Sequence, residues 1–236
     1  IIVGHRGARN EAPENTVEGF VHAQKHGCLH FELDIQLSAD HELMVFHDSS
    51  LKRTTGYRGK LANFPCHELQ TLDASKNTLD WNTPCFIPNL QSVVNAVPHT
   101  LHWQFEVKTD SRHRLNILIK HLYRFIITNH LEHMVTVTSS NRWFLQQMVI
   151  RYPNISTGYV AELPFIDPVK IARKLGCKLL AISDVLVNTR NIQRAKEAGI
   201  QVSCWTVNDL KRMRELKEMG IQSVITDIPS TALQSI

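Results

Sequence analysis

At 236 residues, 43% hydrophobic and 20% charged, the chain is close to the globular norm and can build a sizeable core without disulfides. A formal charge of +4 and a pI near 8.8 come from dispersed lysines and arginines with no arginine-rich or aromatic-interleaved run, so nucleic acid is not implied as a partner. Cysteines 28, 66, 85, 177 and 204 are odd in number and form no C-x-x-C pair, which speaks against a disulfide framework or a zinc site and for a reducing compartment.

Ile1 to Gly4 opens as a buried strand and runs into the turn His5-Arg6-Gly7. Asn15 followed by Glu18 resembles a capping box, and Val17, Phe20 and Val21 give the apolar stripe of a helix ending at Gly27. In the next strand Phe31, Leu33, Ile35 and Leu37 alternate with Glu32, Asp34 and Gln36, so aliphatic side chains take one face and two acids the other. A polar turn from Ser38 to Glu42 then leads into Leu43 to Phe46, a second run that folds back and delivers His47 and Asp48 toward those acids. Taken alone, such a hairpin reads as half-buried, its polar face in water. Two neighbouring carboxylates repel unless a proton or a cation lies between them, and hard oxygen ligands of this kind suit Mg²⁺ or Ca²⁺.

From Ser49 to about Pro88 no period is sustained, and a stretch this long reads as an inserted excursion covering one end of the fold. Leu90 to Val97 is a short helix. In the strand that follows, Leu101, Trp103, Phe105 and Val107 alternate with His102, Gln104, Glu106 and Lys108, repeating the pattern of the first acidic strand. A helix stripe from Leu115 to Ile126, a strand from Met134 to Thr138, a second stripe from Phe144 to Tyr152 and a strand from Thr157 to Ala161 come next. The last third repeats one unit, with helices ending at Gly176, Gly199 and Gly220, each followed by a strand: Leu179 to Ser183, Val202 to Val207 and Val224 to Thr226. Eight principal strands with helices between them predict a (β/α)₈ TIM barrel, a fold that typically takes roughly 250 residues. No G-x-G-x-x-G follows the first strand, as a doubly wound sheet often requires. The expectation is one domain over 1–236, with its insertion at about 49–88.

In such a barrel the site lies where the strands end at their C-terminal face, and His5, Arg6, Glu32, Asp34, His47, Glu106, Lys108 and Trp205 all fall at such ends. Barrel strands are normally apolar on both faces, so acids pointing inward from two strands demand compensation. Three carboxylates around one cation provide it.

At this point the chain resembles the glycerophosphodiester phosphodiesterase family, most closely its short soluble bacterial members. The resemblance is carried by His5-Arg6-Gly7, Pro13-Glu14-Asn15-Thr16, Glu32-Leu33-Asp34, His47-Asp48 with Leu51 and Arg53-Thr54-Thr55, Pro88, Glu106-Val107-Lys108, Trp205-Thr206-Val207-Asn208 and Thr226-Asp227-Ile228-Pro229, in order over nearly the whole chain. It implies a barrel with a small insertion after the second strand and metal-dependent hydrolysis of glycerophosphodiesters to sn-glycerol 3-phosphate and an alcohol. Carried over residue by residue, it places the metal ligands, for one Mg²⁺ or Ca²⁺, on Glu32, Asp34 and Glu106. The catalytic histidines fall on His5 and His47, phosphate-side positive charge on Arg6 and Lys108, and a substrate-pocket wall on Trp205. A cyclic phosphate formed by the substrate's own 2-hydroxyl is the expected intermediate, since no serine, threonine or cysteine stands beside a histidine among the matched positions.

The partner so implied is a small glycerophosphodiester. Membrane insertion is not expected, because no apolar run approaches the roughly 20 residues a bilayer requires. A cytoplasmic location is expected, with a trimmed leader left open because the chain begins at Ile1. Asp48 has two readings, orienting a histidine or capping a turn, and Thr226-Asp227 reads as structural. The sequence departs from the family pattern at Ser139-Ser140-Asn141, where a phenylalanine is usual, and at Ser75-Lys76, where a glycine is usual. Two alternatives are a phospholipase D-like enzyme acting on lysophospholipids, for which no apolar or aromatic segment is evident, and a barrel kept as a non-catalytic binding scaffold.

Overall fold

In the computed structural model, which describes residues 1–235, the chain alternates strands and helices along its length. The first third contains β1 (Ile2–His5), α1 (Val17–Lys25), β2 (His30–Leu37), β3 (Leu43–Val45), α2 (Lys52–Thr55), α3 (Cys66–Leu69) and α4 (Leu90–Ala96). Then follow β4 (His102–Val107), α5 (Arg112–Thr128), β5 (Val135–Ser139), α6 (Arg142–Arg151), β6 (Ser156–Ala161), α7 (Pro168–Leu175) and β7 (Leu179–Ser183). The chain finishes with α8 (Thr189–Glu197), β8 (Gln201–Trp205), α9 (Leu210–Glu218), β9 (Ser223–Thr226) and α10 (Pro229–Ser235).

The strands run in the order β1-β9-β8-β7-β6-β5-β4-β2, and β1 pairs with β2 to close them into a parallel eight-stranded (β/α)₈ barrel. β3 stands outside this ring as an antiparallel ribbon on β2, with Ile35 opposite Val45. No helix among the described residues is long and apolar enough to cross a membrane.

Period 2 within each strand divides the molecule. Outward-facing Phe31, Leu33, Ile35, Trp103 and Phe105 are buried under the helices, where Phe20 meets Phe31 edge-on at 5.5 Å between ring centroids. Burying such side chains contributes about 1.5–3 kcal/mol each. The inward positions are polar: Glu32, Asp34, Gln104 and Thr138 are all nearly inaccessible, and Gln104 Nε2 donates across the barrel to Ser203 Oγ at 3.2 Å.

The excursion after β3 has its own small core of Met44, Phe46, Leu51, Leu61, Leu69 and Ile87. Ser75 belongs to its turn, where Asp73 Oδ1 accepts from Ser75 N, Ser75 Oγ and Cys85 N while the Lys76 ammonium sits 2.9 Å from its second oxygen. The departure at 75–76 therefore closes the loop with side-chain hydrogen bonds where a glycine would rely on backbone freedom.

Thr16, and not Asn15, caps α1: its Oγ1 accepts from Gly19 N at 3.1 Å. Asn15 takes the left-handed φ of 55° and turns its amide into the barrel mouth. Both residue types suit a cap, so only the backbone conformation separates them. Gly7, at φ +88°, packs so closely on α1 that a Cβ there would lie 2.8 Å from the Gly19 carbonyl carbon. The turn leaving β1 is thereby pressed against the helix.

Candidate active site

His5 ends β1, Glu32 and Asp34 point inward from β2, Glu106 from β4, and Trp205 ends β8; Lys108 follows β4 by one residue. These, with Arg6 and His47, come together at the C-terminal mouth of the barrel as the sequence predicts. All but Asp34 line one pocket of about 150 Å³, whose floor includes Val160, Ala181 and Ile225. Thr138 lines it beside the Ser139-Ser140-Asn141 departure, where Ser139 Oγ donates to Val107 O and Asn141 caps α6.

One oxygen from each of Glu32, Asp34 and Glu106 lies within 4.8 Å of the others. Register explains this, because Asp34 pairs with Glu106 across adjacent strands and Glu32 is two residues earlier on the same face. Burial, with Asp34 and Glu106 adding to it, pushes the Glu32 carboxyl well above its ordinary range. Burial also raises Glu106, against the pull of Lys108. For Asp34 the same burial is outweighed by the ammonium of Lys108, 2.8 Å from Oδ1, and by Arg6, 3.1 Å from Oδ2, so its carboxyl stays far below the usual range. Lys108 also bonds Glu106. Glu32 Oε1 is buried with no hydrogen-bond partner. A buried carboxylate oxygen left unpaired costs on the order of 1–3 kcal/mol, and its place within a three-carboxylate cluster fits a hard divalent cation.

Both histidines give Nδ1 to a carboxylate: His5 to Asp227 Oδ1 and His47 to Asp48 Oδ1, each at 2.6 Å. Burial would raise Asp227, but its bond with His5 and its hold on Asn208 Nδ2 keep it low; Asp48 is kept low against burial by Arg53 and His47. Acids held ionised accept hydrogen bonds, so Nδ1 carries the imidazole proton and Nε2 is left to the pocket. His5 Nε2 lies 3.8 Å from Glu32 Oε2. Burial lowers both histidines below their usual value, opposed in His5 chiefly by Asp227 and in His47 by Asp34.

Backbone geometry places these groups. Arg6 takes a left-handed φ of 51°, an uncommon conformation for a non-glycine residue, while its N–H donates to Glu32 O. Gln36 Nε2 lies within hydrogen-bonding distance of the carbonyls of Phe46, His47 and Asp48, tying the returning segment to β2. Asp48 thus resolves to the histidine-orienting reading.

Residues beyond those expected also enter the site. Asp227, read from the sequence as structural, bonds His5 Nδ1. Its position just after β9 puts it at the strand end where site residues gather. Glu14 is 4% exposed and accepts from Arg6 Nη1 at 2.9 Å and from both terminal nitrogens of Arg53 at 2.7 Å. Burial would raise its pKa, but Arg53 and Arg6 bring it down to about 2. Asn15 Nδ2 donates to Asp34 Oδ2 at 2.7 Å. Trp205 Nε1 is buried without a partner.

Fold and site together define a barrel hydrolase with an acidic centre flanked by two oriented histidines. The sequence matches the glycerophosphoryl diester phosphodiesterase family over residues 5–231. It is 26% identical to a glycerophosphodiester phosphodiesterase of Caldanaerobacter subterraneus, covering 100% of this chain and 97% of that protein, and 30% identical to YhdW of Bacillus subtilis, covering 97% and 94%. Its fold superposes with a TM-score of 0.90 on a phosphodiesterase of Oleispira antarctica in complex with the product sn-glycerol-3-phosphate, at 24% identity and covering 99% and 95% of the two chains. The chain therefore belongs to the glycerophosphoryl diester phosphodiesterase family and is a phosphoric diester hydrolase.

Proposed function

We propose that the protein, acting as one domain with its insertion at 49–88, hydrolyses glycerophosphodiesters to sn-glycerol 3-phosphate and an alcohol. In this reading Glu32, Asp34 and Glu106 hold one divalent cation, Mg²⁺ or Ca²⁺. The observation that carries it is the convergence of this three-carboxylate cluster with two histidines whose Nε2 atoms are left to one pocket. When bound, the cation supplies positive charge against which a phosphoryl oxygen is polarised.

The remaining work falls to side chains. Arg6 and Lys108 offset charge growing on the phosphoryl oxygens. One histidine takes the proton of the substrate's 2-hydroxyl at its free Nε2 as that oxygen attacks phosphorus, and the other, entering the step as the imidazolium, gives its Nε2 proton to the departing alcohol oxygen. The product of this step is a cyclic glycerol phosphate. Water then opens it with the two histidines exchanging roles. An adjacent hydroxyl is an effective nucleophile, since good positioning supplies effective molarities of roughly 10⁵ M or more. The unpaired Trp205 N–H supports a substrate-binding role for that side chain.

Release of glycerol 3-phosphate from glycerophosphocholine, with and without chelator, tests the reading together with metal titration of Glu106→Gln. Turnover should vanish with chelator and in the variant, and the variant should bind metal far more weakly. Unchanged metal affinity and activity in Glu106→Gln would overturn the ligand set. An analogue lacking the 2-hydroxyl should bind but barely turn over.

One observation favours a second reading, lysophospholipids as substrates. Leu163, Phe165 and Val185, on the loops after adjacent strands β6 and β7 at the mouth, are 58%, 97% and 86% exposed. Lysophosphatidylcholine turned over faster than glycerophosphocholine would favour it.

A further inference from the structure

Arg53, in α2 at the start of the insertion, has no part in the chemistry described so far. Its guanidinium donates from Nε to Asp48 Oδ2 at 2.6 Å, and from Nη1 and Nη2 to the two oxygens of Glu14 at 2.7 Å each. Beyond these two acids lie two residues of the proposed mechanism. Asp48 holds His47 Nδ1, and Glu14 Oε1 accepts from Arg6 Nη1. An unbroken hydrogen-bonded chain thus runs from His47 through Asp48, Arg53 and Glu14 to Arg6.

The two ends of this chain differ in what else fixes them. Glu14 is enclosed, but the Asp48 and His47 side chains are 26% and 32% exposed, so without Arg53 the Asp48 carboxylate is free to turn toward water and take the imidazole with it. Arg53 itself is placed by the insertion's small core: Leu51 and Thr54 beside it are buried, Thr55 Oγ1 donates to Leu51 O, and Lys76 N donates to Thr54 O. Only a planar fork can serve a carboxylate on one edge while paired with a second on the other, and a lysine ammonium offers a single point of charge instead.

We propose that Arg53 is a positioning residue for the reaction: by bridging Asp48 and Glu14 it fixes the His47 imidazole and the Arg6 guanidinium in one arrangement, which makes the insertion a working part of the active site. The proposal rests on the roles given above to His47 and Arg6. It differs from a packing role in predicting that the effect of Arg53 on turnover travels through Asp48.

The test is a double-mutant cycle in kcat and KM on glycerophosphocholine at saturating divalent cation, with Arg53→Lys, Asp48→Asn and the double variant. Arg53→Lys should lower kcat by about tenfold or more, the scale expected when a reacting group is displaced by a fraction of an ångström, and should raise KM severalfold through Arg6. In the Asp48→Asn background the same change should cost less than about threefold in kcat, because coupled residues are not additive. Methylguanidinium should restore turnover to Arg53→Ala but not to Arg53→Ala/Asp48→Asn, which keeps the proposal testable if Arg53→Lys does not fold. Wild-type kcat in Arg53→Lys, an undiminished loss in the Asp48→Asn background, or no rescue would overturn it. If His47→Ala itself keeps full turnover, the reading of the histidines fails instead, whereas loss in His47→Ala with Arg53→Lys unaffected removes only the positioning role.

Discussion

His5 and His47 make the same 2.6 Å contact from Nδ1 to a carboxylate, yet one stands on a barrel strand and the other on the return of a hairpin. On the β1 side the histidine and its carboxylate are both buried: Asp227 follows β9, which is hydrogen-bonded to β1, and the exposed Asn208 grips it through Nδ2 while accepting from its N–H. On the hairpin side the side chains reach solvent, and their order comes from Gln36, Arg53 and Glu14. Beside the sheet one carboxylate and one amide suffice to hold the histidine, whereas a group on a connecting segment needs a longer network of charged and amide side chains.

Removing the histidines gives the largest expected effect. His5→Ala and His47→Ala should each lose roughly 10²-fold or more in turnover with metal binding retained, the usual scale for a general acid or base. Their stabilities should separate. His5→Ala leaves Asp227 buried with one partner fewer, while the Asp48 left by His47→Ala can be hydrated. Equal melting temperatures would break the comparison, and loss of metal binding in either variant would show that histidine to be a ligand.

A smaller effect is expected one step back. Asp227→Asn and Asp48→Asn should each cost about tenfold in kcat by loosening the imidazole and its tautomer. Asp227→Asn should also cost on the order of 1–3 kcal/mol in stability, and Asp48→Asn, at a carboxylate whose side chain is 26% exposed and so partly hydrated, should cost less. Chemical denaturation of the two variants side by side checks this. A larger stability loss in Asp48→Asn would mean that the hairpin side is the more rigid mount.

The parts legible in the sequence are those with a local period. Phe31, Leu33 and Ile35 announce an outward apolar face, and Glu32, Asp34 and Glu106 stand out because the opposite face of a barrel strand is an unexpected place for acids. The partners of those acids are not legible in this way. Asp227 reaches His5 across 222 residues and Arg53 reaches Glu14 across 39, separations that leave no pattern in any window. Asn15 and Thr16 are both chemically able to cap α1, and only the left-handed φ of Asn15 sends it to Asp34. The exposed Phe165 belongs to a loop without periodicity, so its place on the mouth becomes apparent only once β6 and β7 are set side by side.

A third histidine sharpens the contrast, with the smallest effect because it leaves turnover at neutral pH untouched. His102 is set opposite His30 where β2 and β4 begin, and among the described residues its Nε2 meets only the Thr136 hydroxyl at 3.1 Å. Burial, aided by His30, lowers its pKa from 6.5 to about 4, with no carboxylate to oppose the shift as Asp227 does for His5. Between those values the unfolded chain binds a proton that the folded chain refuses, so stability falls as pH drops through that window and is complete above it. His102→Gln should therefore flatten the decline in stability between pH 6.5 and 4 without changing turnover at pH 7. Denaturant midpoints measured across that range check it. An unchanged slope in the variant would assign the acid sensitivity to the carboxylate network of the mouth, and the barrel floor would then be the less pH-sensitive end.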